Sequence, residues 1–256
     1  MNKSKVGLVL SVVLLFASCS EDGTDELPSV SVTFDFSHSW DGQSVTSDDL
    51  NTIQFTNANG EELSVQLLRY LVSDITFENE NGEVITVDDY NLVDLTRGTG
   101  LSYATEEVIP IGNYTNVSFT FGFDNEDNQD GVYLDLNSAS WNVPAVLGGG
   151  YHYMQLEGRF INNTSMETGY QYHAIRAVDN SGAEQRFQDT FFTVNLGPMT
   201  IKEGTEVEVG MNIAEWFKDP NQWNLNILGS MLMPNFDAQV MMYENGQGVF
   251  SLENVQ

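Results

Sequence analysis

Val30-Ser31-Val32-Thr33-Phe34-Asp35-Phe36 alternates a large apolar residue with a small or polar one at each step, and this alternation decides the fold class. A two-residue period places Val30, Val32, Phe34 and Phe36 on one face of an extended chain and leaves the other face polar. Tyr114-Thr115-Asn116-Val117-Ser118-Phe119-Thr120-Phe121 repeats the pattern with aromatic residues, and runs at 151–160, 188–194 and 205–209 extend it. Between them stand Asn59-Gly60, Asn81-Gly82, Ser181-Gly182 and Asn245-Gly246, pairs suited to hairpin turns that need positive φ. Short strands joined in this way predict an all-β protein, an antiparallel β-sandwich of immunoglobulin-like layering with few short helices. The best helical candidate is the single turn or two at 213–218, just before Pro220. Neither an internal repeat nor a Pro- or Ser-rich linker divides the chain, so residues 29–256 are expected to form one domain.

The N-terminus carries a different signal. Lys3 and Lys5 precede an apolar run from Val6 to Phe16, and Ala17-Ser18 supplies small residues before Cys19. The run is too short for a permanent membrane span, so residues 1–18 are expected to be a lipoprotein signal peptide and Cys19 the lipidated residue. Cys19 is the one cysteine of the chain, so no disulfide supports the fold and the core must hold it. Residues 19–28 read as an acidic tether. These features predict an outer-membrane lipoprotein on the periplasmic or cell-surface face, attached to the membrane through its lipid anchor.

The formal net charge is −28. Such a field repels nucleic acid and favours cations and basic partners, so no nucleic-acid partner is expected. The catalytic signatures are also missing: there is no CxxC, no HExxH and no GxSxG, and Gly148-Gly149-Gly150 lacks the Lys-Ser or Lys-Thr of a phosphate loop. Binding rather than turnover is expected, and the protein is not expected to be an enzyme.

Metal ligation is the chemistry that the remaining residues support. The three histidines, His38, His152 and His173, each lie among aromatic residues, where a lone histidine is ordinarily a packed, hydrogen-bonded core residue. Spacing brings two of them together. If residues 151–161 and 164–174 form a hairpin closed at Asn162-Asn163, His152 and His173 stand directly opposite on one face, about 5 Å apart at Cβ. A turn at Thr168-Gly169 would instead separate them. Two imidazoles at that distance suit copper or zinc, with Met154 as a weak axial sulfur ligand on the same face. Asp124, Asp127 and Asp130 lie in an acidic loop that misses the EF-hand pattern yet offers a looser calcium site, with a plain solvated loop as the alternative.

Several motifs follow one another in a recognisable order: Arg69-Tyr70-Leu71-Val72-Ser73-Asp74-Ile75, Ile111-Gly112-Asn113-Tyr114, Phe121-Gly122-Phe123-Asp124, Trp141, Gly149-Gly150-Tyr151-His152-Tyr153-Met154-Gln155-Leu156-Glu157-Gly158, Tyr172-His173, and Glu244-Asn245-Gly246-Gln247-Gly248-Val249-Phe250. Together they resemble the MbnP-like family of extracytoplasmic copper-binding proteins, in the form found among Bacteroidota lipoproteins. The resemblance implies a β-sandwich that binds copper through two histidines and an oxidised tryptophan, kynurenine. It also implies a di-haem cytochrome c peroxidase-like partner. Carried over by position, His173 matches the late histidine, His152 lies in the preceding strand, and Trp141 matches a tryptophan ahead of it. The chain departs from the copper-binding relatives in having no Trp-x-His; His38-Ser39-Trp40 has the reverse order. The expectation is therefore a copper site of His38, His152 and His173 with Trp40 or Trp141 nearby. The alternative from another class is a metal-free adhesion or glycan-binding sandwich presenting Trp216 and Trp223.

Overall fold

The computed structural model describes residues 28–256; the expected signal peptide at 1–18, Cys19 and all but the last residue of the expected tether lie outside the described residues. The strands are β1 (Ser29–Val30), β2 (Thr33–Trp40), β3 (Gln43–Ser44), β4 (Phe55–Thr56), β5 (Glu62–Asn79), β6 (Val84–Asp94), β7 (Ser102–Ala104), β8 (Ile109–Pro110) and β9 (Gly112–Phe121). The short helix α1 (Leu134–Ser138) follows, then β10 (Met154–Ile161), β11 (Glu167–Ala174), β12 (Ala177–Asp179), β13 (Arg186–Gln188), β14 (Phe192–Ile201) and β15 (Glu206–Asn212). Helix α2 (Phe236–Gly246) and strand β16 (Phe250–Val255) close the chain. Among the described residues no helix is long and apolar enough to cross a membrane.

Two sheets carry the architecture. The larger runs β11-β10-β5-β9-β14, with β4 and β6 also paired to β5; the smaller runs β16-β15-β2-β3, with β7 on β2. Strand β5 is the spine of the larger sheet. Its first half pairs with β10, from Leu63 opposite Phe160 to Tyr70 opposite Met154, and its second half pairs with both β6 and β9. A register shift between Ser73 and Ile75 marks the crossover, where Asp74 takes φ 50° as the bulged residue.

The predicted alternation is present and longer than expected. In β2 the odd positions are half-buried and Phe34, Phe36, His38 and Trp40 all point inward. Their rings interleave with those of the larger sheet: Phe34 lies 6.3 Å from Phe77, and Phe36 lies 6.3 Å from Tyr70, both edge-on. Aromatic pairs in this geometry add stabilisation beyond their buried area. The smaller sheet does not cover β10 and β11. The 3-10 turn Ile213–Phe217, Trp223 and α2 do so instead, with Tyr172 packed 4.6 Å from Trp223 and its hydroxyl donating to the Trp216 carbonyl at 2.9 Å.

Three expectations are corrected in detail. The sandwich is not wholly antiparallel, because β15 lies parallel to β2, with Glu206 opposite Thr33. The strand expected at 188–194 begins at Phe192. Asn245-Gly246 is the last turn of α2 rather than a hairpin. The buried Asn245 amide donates to the Trp216 and Asn221 carbonyls, and a Cβ at residue 246 would stand 2.6 Å from the Phe192 ring. Glycine is required there for close approach, not for a turn.

Gly158 shows how tightly β10 is seated. A Cβ there would lie 1.9 Å from the Ser64 carbonyl oxygen and 2.7 Å from the Tyr170 ring, and backbone cannot yield as a flexible side chain can. Gly158→Ala is expected to cost about 2–3 kcal/mol of stability by overpacking, read as a lowered urea midpoint. Gly169→Ala, where the nearest atom is 3.9 Å away, serves as the control on the neighbouring strand and should change little. Equal midpoints for the two variants would contradict this account of the β5–β10–β11 contact.

Candidate metal centre

The outer face of the larger sheet, opposite the sandwich core, holds the site. Tyr70 points inward, so strand alternation sends Arg69 outward, and the paired positions Gln155 and His173 go with it. Glu157, two residues along β10, shares that face. Over it folds the segment from α1 to β10. Trp141 and His152 pair back to back, the His152 amide donating to the Trp141 carbonyl at 2.9 Å and the Val143 amide to the Gly150 carbonyl at 2.9 Å. Gly148, Gly149 and Gly150 all have positive φ between them, which lets the chain reverse within a few residues. Gly150 is the most constrained, since a Cβ there would stand 2.3 Å from the Asn128 amide oxygen.

His152 and His173 meet, with ring centroids 5.3 Å apart and planes at 83°. The hairpin that brings them together differs from the one expected. The turn spans residues 162–166, so Gln155 stands opposite His173 and Met154 opposite Ala174. In a regular strand that register would place His152 on the inner face. The chain bends at Tyr153, ahead of β10, and the bend swings His152 outward over His173.

Each ring has one nitrogen committed. His152 Nδ1 donates to the Trp141 carbonyl at 2.8 Å, and its Nε2 is buried with no hydrogen-bond partner. His173 Nε2 donates to Glu157 Oε1 at 2.7 Å, which leaves the Nδ1 lone pair. Burial lowers the His152 pKa to about 4, helped by the charges of His173 and Arg69 and opposed by the Trp141 bond. Burial also lowers that of His173, with Glu157 acting in the opposite direction. Both imidazoles are therefore neutral at physiological pH, the form that ligates metals. Arg69 frames the site from below. Its guanidinium lies 4.8 Å from the Trp141 ring centroid and donates from Nε and Nη2 to the Gln155 side-chain oxygen at 2.8 and 2.6 Å. Trp141 is fully buried, 5.7 Å from the His152 ring, with its own Nε1 unpartnered.

The other expected ligands lie elsewhere. His38 is inside the sandwich, its Nε2 3.2 Å from the Tyr70 hydroxyl, on the face of β5 opposite Arg69. Burial lowers its pKa to about 4. Trp40 is stacked on Phe55 at 4.8 Å in the core. Met154 also faces the core, in register with Tyr70, because the bend at Tyr153 takes His152 out of its alternation. Trp216 and Trp223 are fully buried, so neither is a platform for a sugar. Conversely, Glu157, Arg69 and Gln155 carry the surroundings of the histidine pair, a role that no local spacing in the sequence announces. Glu157 was legible as the residue two along from Gln155 once the β10–β11 register is known.

Asp124, Asp127 and Asp130 do not converge. Asp124 Oδ1 accepts from the Glu126 and Asp127 amides at 2.7 and 3.1 Å, and Asp130 packs beside Gly149. Asp127 instead joins Asp74 and Asp88, whose ligand oxygens lie within 4.8 Å of one another.

A β-sandwich with a buried histidine and a half-buried one paired on its outer sheet face is the class that fold and site define. The MbnP family profile matches residues 29–236, and the chain belongs to that family. Among solved structures, MbnP from Methylosinus trichosporium is similar in fold, with a TM-score of 0.55 and 13% sequence identity over 80% of this chain and 84% of that one. No curated protein matches the sequence.

The acidic cluster has a pH signature. Burial, with the nearby Asp127, Asp124 and Asp88 charges, raises the Asp74 pKa from 3.8 to about 6. The folded state thus holds this proton more tightly than the unfolded chain. The resulting stabilisation is complete below 3.8 and is lost as pH rises through about 6. Asp74→Asn is expected to stabilise the protein at pH 7.5 by roughly 1 kcal/mol after solvent screening, and by less at pH 4. Chemical denaturation at the two pH values measures it; a gain of equal size at both would remove the electrostatic explanation.

Proposed function

We propose that this protein is an exported, lipid-anchored binding protein that holds a transition metal, copper by the chemistry of its donors, between His152 and His173. The observation that carries the reading is the buried, unpartnered Nε2 of His152, on a ring whose centroid lies 5.3 Å from that of His173. A buried polar atom with no partner costs free energy, and such exceptions in folded proteins call for an explanation. An ion provides one. Two imidazoles that share an ion at about 2 Å from each nitrogen have centroids about 5–6 Å apart, and the spacing here is 5.3 Å. Each ring is also fixed through its other nitrogen, by the Trp141 carbonyl and by Glu157, which is the outer-shell arrangement that orients metal-binding histidines.

Imidazole donors suit copper among the transition metals, and family membership favours the same ion. Bound copper supplies a one-electron redox couple; the role proposed is acquisition or redox partnering rather than turnover. Trp141, not Trp40, is the tryptophan within reach of the pair, so it is the residue on which a di-haem peroxidase-like partner would act. Lipidation at Cys19 would hold the domain at the outer membrane. The glycan-binding reading loses its support with the burial of Trp216 and Trp223.

Copper(II) titration of the purified protein tests the metal site. One ion per chain is expected in the wild type, with loss of that ion in His152→Ala and in His173→Ala and full retention in His38→Gln. Unchanged stoichiometry in both alanine variants would sink the assignment.

A further inference from the structure

Above His173 lies a groove of about 300 Å³ whose walls include Val146, Leu147, Gln171, Met231 and Met233. His173 is the member of the histidine pair that lines it, and its side chain keeps 12% of its surface exposed there. Neither a lysine, an arginine nor a carboxylate lines the groove, so its donors are one imidazole, one amide and two thioethers.

Met231 is held there at a cost. It is 76% exposed and adopts φ 57°, the left-handed region that residues with a Cβ rarely occupy. An exposed apolar side chain on a strained backbone gains nothing from core packing, and strain of this kind concentrates at functional sites. Met233, two residues on, is half-buried against Val143, Leu147, Ile175 and Val178, which anchors the second thioether at the groove wall. Thioether sulfur is a soft donor with high preference for Cu(I) over Cu(II), and three rotatable bonds let each methionine adjust to an ion.

Building on the copper assignment above, we infer that Met231 and Met233 form a soft-metal site, in the groove that His173 also lines, that receives a monovalent ion of the Cu(I) type and passes it to the histidine pair. The groove is the open side of the site. An ion arriving in the reduced state meets sulfur first and nitrogen second. The thioethers are uncharged, so capture does not depend on protonation near neutral pH.

Silver(I), a redox-inert monovalent soft ion, is the probe. Calorimetric titration of the wild type, the double variant Met231→Leu/Met233→Leu, and Met166→Leu is expected to show at least a tenfold loss of silver affinity in the double variant alone. Met166 is a 61% exposed methionine in the β10–β11 turn and controls for adventitious surface thioethers. Leucine conserves volume, and unchanged copper(II) stoichiometry in the double variant reports an intact fold and an intact histidine pair. Labelled methionine methyl groups supply a second readout: silver should shift the Met231 and Met233 signals and leave Met166 in place. Wild-type silver affinity in the double variant, or shifts confined to other methionines, would overturn the inference. Copper(II) binding that survives the loss of both histidines would overturn the metal assignment instead, so the two failures are distinct.

Discussion

The two faces of β5 constrain everything else. An extended chain must send successive side chains to opposite sides, so Tyr70 enters the aromatic core and Arg69 is forced out onto the other face. The core rings of Phe36, Phe121 and Phe250 pack on Tyr70 and fix the strand in register. A slip of one residue would bury Arg69 and expose Tyr70, and no packing could offset that. With β5 fixed, β10 and β11 inherit the division, and Gln155, Glu157 and His173 must all lie outside. The histidine pair is thus built on the back of the best-packed part of the molecule, a rigid support for a site that needs fixed geometry.

The histidine pair is also largely buried, although the protein as a whole carries a formal charge of −28. His152 and Trp141 are almost wholly buried, and burial is the largest cause keeping both imidazoles neutral. Arg69 places a fixed cation beneath them without a direct carboxylate partner, since its Nε and Nη2 hydrogen bonds go to Gln155 and its Nη1 bond to the Ala139 carbonyl. Protons therefore compete poorly for the ring nitrogens. The acidic surface raises the local concentration of cations around the fold, while the groove beside His173 offers only neutral donors. Attraction and selection fall to different parts of the molecule.

The sandwich and the segment that covers its outer face make different demands on the sequence. Backbone hydrogen bonding and the in–out pattern suffice for that architecture, whereas the covering segment demands particular residues. Three successive glycines at positive φ, a tryptophan carbonyl shared by the amide and ring of His152, and Glu157 beneath His173 are specific requirements, and each depends on contacts between distant parts of the chain.

The sequence by itself determined the strand period, the all-β class, most of the turns and the family, because local alternation and turn chemistry act over a few neighbouring residues. It also brought His152 and His173 together, though through a register that the folded hairpin does not use. Tertiary structure decided the remainder. The parallel pairing of β15 with β2 is a long-range choice that no local pattern encodes, and α2 has no apolar stripe to announce it. Whether a histidine faces core or site depends on one bend at Tyr153 and on the face of β5 that each strand meets. That is why His38, with the same aromatic surroundings in sequence as the other two, is a packing residue bonded to Tyr70 on the opposite side of the sheet. A two-residue period fixes which side chains travel together; only the packed sheets fix which side is which.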